Sequence, residues 1–160
     1  MANYAVTLSS ARKSVLTDVE RAVSGFSHKF TIPYSDLTSA GATTATDTVT
    51  VTLGATPSLW AVDKALVNIP TAYAGTTALT IAVGSTSSTS AFVTAQSVLT
   101  AGALGQASGV PVLTNATATA SVSLVATFTN ATGGSISALS AGSLDIFLNL
   151  WDMRVGGSLS

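Results

Sequence analysis

The sequence predicts an all-β chain: an antiparallel jelly-roll-type β-sandwich of about eight strands over residues 26–160, preceded by a short N-terminal arm or helix over residues 1–25. Three observations carry that prediction. From about residue 26 onward, apolar and hydroxyl side chains alternate with a period of two. Clusters rich in Gly, Ser, Ala and Asn interrupt the alternation at short intervals. Charged residues make up only 8% of the chain, where about 25% is usual, and none occurs between Lys64 and Asp145. Successive strand side chains point to opposite faces, so the alternation describes strands with one buried and one wetted side. Many short strands between turn clusters point to a sandwich or barrel. A plain Greek-key sandwich is the second architecture that fits.

Residues 1–25 hold five of the thirteen acidic and basic side chains. Val15, Leu16, Val19 and Val23 recur at three- and four-residue spacing, after a Ser and before Gly25. This suits a short amphipathic helix with an N-cap and a C-terminal glycine. Such a helix is too short to stand alone in water and needs a surface to lie on. Val6 and Leu8 alternate, so an extended arm competes with it. Strands follow at 26–34, 43–54 (Val49, Val51 and Leu53 inward, Thr48, Thr50 and Thr52 outward), 60–69, 79–84, 91–99, 110–114, 117–129 and 143–153. In 117–129 only Val125 breaks the pattern, standing among Ser and Thr. The last strand is apolar on both sides, with Leu144, Ile146, Leu148 and Leu150 opposite Phe147, Trp151 and Met153, and should be central or covered. Pro33 and Pro70 suit strand ends or edges, because proline cannot complete a ladder.

Composition argues against most chemistry. Six Lys and Arg give no basic stripe for phosphates, so no nucleic-acid partner is expected. Cysteine is absent, which removes thiolate ligands and nucleophiles. The one histidine, His28, reads as an exposed strand residue, and no G-x-S-x-G elbow accompanies it. The seven carboxylates are scattered and form no calcium loop. Glycine-rich GALGQASG lacks the lysine of a phosphate loop. Asp63-Lys64 reads as a strand edge or an ion pair between subunits. No catalytic residue, cofactor or metal is expected, nor a signal peptide or membrane span. The Thr44–Thr52 alternation invites an ice-binding reading, but threonine is also a good strand former, and no repeat widens the run into a plane.

Residues 64–102, KALVNIPTAYAGTTALTIAVGSTSSTSAFVTAQSVLTAG, resemble a group of small virion proteins of tailed bacteriophages. The shared pattern is a strand entering an "IPTAYAGTT"-like turn, a short "LTIAVG" strand and an "AFVTAQSVLTAG"-like strand. The closing AGSLDIFLNLWDM resembles their last strand. Members usually carry acids after the "VG" strand, where this chain has STSSTS. The resemblance implies a non-enzymatic capsid decoration (cement) protein with a jelly-roll fold, often a homotrimer, that binds the major capsid protein lattice on the outer surface of the head after synthesis in the host cytoplasm. The expected lattice contact is the N-terminal segment, through Arg12, Lys13, Val15, Leu16, Val19, Arg21 and Val23. Deleting residues 2–25 is then expected to leave the β domain folded. The alternative is a carbohydrate-binding or host-recognition module of a fibre, spike or cell surface, using Trp60, Tyr73 and Trp151.

Overall fold

A computed structural model describes residues 2–57, 60–102, 104–106 and 121–152. In chain order the elements are β1 (Asn3–Thr7), β2 (Lys13–Val15), α1 (Asp18–Ser24), β3 (His28–Pro33), α2 (Tyr34–Thr38), β4 (Thr48–Thr56), β5 (Trp60–Ala74), β6 (Leu79–Ser85), β7 (Val93–Ser97), β8 (Leu104–Gln106), β9 (Val122–Asn130) and β10 (Ala141–Asp152). Short 3-10 turns cover Ser10–Arg12 and Ile136–Ala138. The strand expected at 110–114, the start of the one expected at 117–129, residues 107–109 of GALGQASG, and Met153 lie outside the described residues.

The strands form two five-stranded sheets, ordered β1-β4-β9-β6-β7 and β2-β3-β10-β5-β8. With β1 and β2 set aside, the other eight strands form four antiparallel pairs, β3·β10, β4·β9, β5·β8 and β6·β7, joined within the sheets by β5·β10 and β6·β9. They are nested, so the chain runs out along one strand of each pair and returns along the other. This is one long antiparallel ribbon, turned back at the β6–β7 hairpin and rolled into two facing sheets. That connectivity is a jelly roll, and the expected fold class holds. β1 adds to the first sheet parallel to β4, and β2 adds to the second antiparallel to β3.

Alternation fills the space between the sheets. Val49, Val51 and Leu53 meet Leu79, Ile81 and Val83 from β6, and Leu124, Ala126 and Phe128 from β9, all at most 2% exposed. Leu144, Ile146 and Leu148 come from the facing sheet and are fully buried. β10 is the central strand of its sheet, between β3 and β5. Removing a methyl-sized group from such a core costs about 0.5–1.5 kcal/mol, and truncating a Leu or Ile to Ala about 2–5. Gly142 shows how close the packing is. Its φ is +127°, and a Cβ there would lie 2.6 Å from Tyr73 Cγ, so no other residue fits between β10 and the Tyr73 ring.

Several expectations change. Residues 1–25 are not an appendage: β1 and β2 are edge strands of the two sheets, and Leu8 is only 2% exposed. Deleting residues 2–25 would strip both edges and uncover core. Only Asp18–Ser24 of that segment is α-helical, capped by Thr17 rather than by a Ser. Pro70 is inside β5, not at its end, but at a register shift against β10, the irregularity at which a strand tolerates proline. Asp63-Lys64 lies within β5 beside a second shift against β10, ahead of the Leu66–Asn68 stretch that β8 covers, and Asp63 accepts a bond from Asn149 Nδ2 at 3.1 Å. The helix α2 was not expected at all. Val125 is buried even though it points outward: the loop after β6 crosses over Gly84, the residue paired with Val125.

Candidate contact surfaces

The two outer faces of the sandwich differ in chemistry. On the β1-β4-β9-β6-β7 sheet, paired residues line up in rows. One row runs Asn3, Thr48, Thr129, Thr80, Ser97, and the next runs Ala5, Thr50, Thr127, Ala82. The threonine run of β4 is therefore widened across neighbouring strands into a hydroxyl-covered face. Among the described residues the only charge this sheet's region carries is Asp47, which is 2% exposed. Asp47 accepts from the backbone N–H groups of Ala2 and Thr44, both at 3.0 Å, and pins the start of β1. The Ala2 N–H, followed by that of Thr44, holds the carboxyl below its ordinary range against the opposing effect of burial.

Every other charged residue among those described lies on the second sheet or in the segments leading to it. On its outer face Lys29 Nζ meets Asp145 Oδ2 at 3.0 Å, and Thr31 donates to Asp145 Oδ1 at 2.7 Å. The Lys29 ammonium also sits 5.6 Å from the Phe147 ring centroid. Phe26 packs against Phe147 with centroids 5.8 Å apart. Helix α1 crosses this region and buries none of its own residues.

The local sequence explains why α1 forms. Thr17 and Glu20 make a reciprocal capping box: Glu20 Oε2 accepts from the Thr17 N–H at 2.9 Å, and the Glu20 N–H bonds Thr17 Oγ1. The Thr17 backbone N–H, then its hydroxyl, hold the Glu20 carboxyl below its ordinary value. Gly25, at φ +73°, closes the helix by donating to the Arg21 carbonyl. The T-x-x-E spacing from Thr17 to Glu20 is the local sequence signal for this cap.

The seven residues expected to act together divide into three settings. Leu16, Val19 and Val23 line one groove of about 410 Å³ with Phe147 and Lys29. Val19 and Val23 are 75% and 85% exposed. Val15, 70% exposed, ends β2 and faces a different cleft, shared with Lys13. Arg12 pairs with Asp36 at 3.5 Å, and Arg21 with Asp18 at 3.9 Å on the open surface. The single helical stripe read from the sequence is thus broken at Thr17, and Val15 leaves it.

The second cleft, about 270 Å³, opens between the sheets and is lined by His28, Phe30, Leu53, Leu124 and Leu150 among others. His28 is half-buried there, not exposed. Its parity matches Phe30, with ring centroids 6.3 Å apart, and Nδ1 lies 2.8 Å from Ser27 Oγ. Burial, and secondarily the charge of Arg21, lower its pKa below 6.5. Ser27 Oγ is itself engaged by the Leu150 N–H, and bonds the Leu148 carbonyl. Among the described residues no carboxylate partners the ring, the third group that would orient a nucleophile's base. Of the three aromatic residues considered for sugar binding, Tyr73 is 3% exposed and donates to the Ile32 carbonyl at 2.6 Å, whereas Trp151 is 60% exposed. Trp60 is partly buried. Among the described residues no group of three or more His, Asp or Glu converges as a metal site, and no helix is long and apolar enough to cross a membrane. Comparison with protein families, with curated proteins and with solved structures finds no match to this chain.

Proposed function

We propose that this chain is a non-enzymatic virion structural protein that decorates and stabilises an icosahedral phage capsid by bridging adjacent capsomers, with itself and the major capsid protein as partners. The observation that carries the reading is the partition of the surface. An apolar helix face with charged neighbours lies on one side of the jelly roll and an uncharged hydroxyl face on the other. Two valines on α1 stay in water, forgoing about 1.5 kcal/mol or more each that cover would return. A flat face of short hydroxyl side chains loses little rotamer entropy when another surface covers it, and its lack of charge limits the desolvation cost. In this reading α1 and the Phe147 region meet the shell. The resemblance to small phage virion proteins agrees with it.

Cosedimentation with empty phage heads tests the proposal. Because truncation would remove two edge strands, the informative variant is Val19→Asp with Val23→Asp, which changes exposed positions only. Saturable pelleting of the native chain, lost in the double variant, is expected; a native chain that stays in the supernatant refutes the assignment. The exposure of Trp151 supports a second reading, a carbohydrate-binding module of a fibre or spike. Glycan-array binding abolished by Trp151→Ala would favour that reading over the first.

A further inference from the structure

We propose that β1 is a self-pairing edge, and that two copies join through it antiparallel about a two-fold axis. Among the described residues four strand edges end the two sheets, and three of them are poor templates. β2 and β8 span three residues each, and β2 carries Lys13. β7 is interrupted by a register shift against β6, between Val93 and Gln96. β1 differs from all three: five residues, NYAVT, in unbroken register with β4, with no charge, no proline and no bulge. Natural edges are normally blunted by those very devices.

The hydrogen-bonding phase of β1 is fixed at both ends. Ala2 C=O accepts from Thr48 at 2.9 Å, and the Leu8 N–H donates to Thr52 at 3.0 Å. In a parallel ladder the groups facing the neighbour alternate, so Ala2, Tyr4, Val6 and Leu8 address β4. The N–H and C=O groups of Asn3, Ala5 and Thr7 point to the open edge, and those three residues are exposed. Centred on Ala5, a two-fold places Ala5 opposite its copy and Asn3 opposite Thr7 of the second copy. All six outward backbone groups of each copy are then satisfied.

The side chains agree with that register. Tyr4 and Val6 are partly buried against the core, and the same axis sets Tyr4 of one copy opposite Val6 of the other, a favourable aromatic–β-branched cross-strand pair. Only Ala5, on the axis, faces its own copy, so a charge there would oppose itself; NYAVT carries none, and the first charged side chain is Arg12. A closed isologous contact also removes the edge from further pairing. The two hydroxyl faces would join as one continuous surface. The inference concerns the isolated protein and does not depend on capsid binding. It specifies a dimer where the family resemblance implied a trimer.

Light scattering across micromolar to millimolar concentration tests it, with two variants whose melting temperatures are checked beside the native chain. Ala5→Pro removes only an outward N–H and spares the β4 ladder. Ala5→Lys places like charges opposite each other across the axis. The expected result is a native dimer, weakened at least about tenfold by either substitution, with the Lys variant regaining dimer as salt screens the repulsion. A native monomer or trimer overturns the proposal, as does a dimer indifferent to both substitutions.

Discussion

Tyr73 combines two roles that its residue type left undecided: a ring in the core, 6.0 Å from the Phe128 ring, and a hydroxyl that donates to the Ile32 carbonyl. Burial, then the charges of Asp36 and Asp145, raises its pKa, so the phenol stays protonated and available as donor. Tyr73→Phe keeps the ring and removes the hydroxyl's bond to the Ile32 carbonyl, and should lower stability by about 1 kcal/mol in urea unfolding; an unchanged midpoint would show that the bond contributes nothing net. His28 carries the pH dependence. Its folded-state pKa lies below 6.5 because burial disfavours the imidazolium. The unfolded chain therefore binds the proton first, and stability is complete above 6.5 and falls as pH drops through that value. Melting temperature should decline from neutral to mildly acidic pH in the native chain and less steeply in His28→Gln. Equal slopes would remove His28 from the account.

Among the elements, α1 is held by its caps and not by packing. Thr17→Ala removes the capping box, at about 1 kcal/mol for the helix, yet no α1 residue is buried. The expected outcome is local: faster amide exchange over residues 18–24 with an unchanged melting temperature. A drop in melting temperature equal to the helix's loss would mean that α1 is part of the cooperative core. The strands were the legible part of the sequence, because period-two alternation and burial are the same fact seen twice: Val49, Val51 and Leu53 were placed inward by pattern and are fully buried. Boundaries were less legible. Val15 fits a helical stripe by spacing, but antiparallel pairing of Lys13–Val15 with His28–Phe30 claims it for β2. His28 was placed outward because strand parity was counted without knowing which face of β3 meets the core. Val125 and Pro70 depended on a loop crossing and a bulge, neither of which leaves a local periodic signal.

For the whole molecule, the charge-free run from Lys64 to Asp145 becomes spatial. Within it fall β6, β7 and β9, three strands of the hydroxyl-faced sheet, while β3, β5 and β10 bring Lys29, Asp63, Lys64 and Asp145 to the other. Composition announced that charge was scarce; only the rolled ribbon shows that, among the described residues, all of it but Asp47 is gathered on the second sheet and the segments joined to it. Surface placement of the seven candidate residues was partly legible, since Val19 and Val23 are exposed and adjacent, but their separation from Arg12 and Val15 required the fold. The central claim is that the apolar, charge-bearing side is made to be covered by a shell. Amide hydrogen exchange of the protein free and bound to empty heads measures this directly. Protection gained over residues 16–29 and 145–151, with the β6–β7 hairpin unchanged, is the predicted result; protection confined to that hairpin, or no difference between the two states, would contradict it.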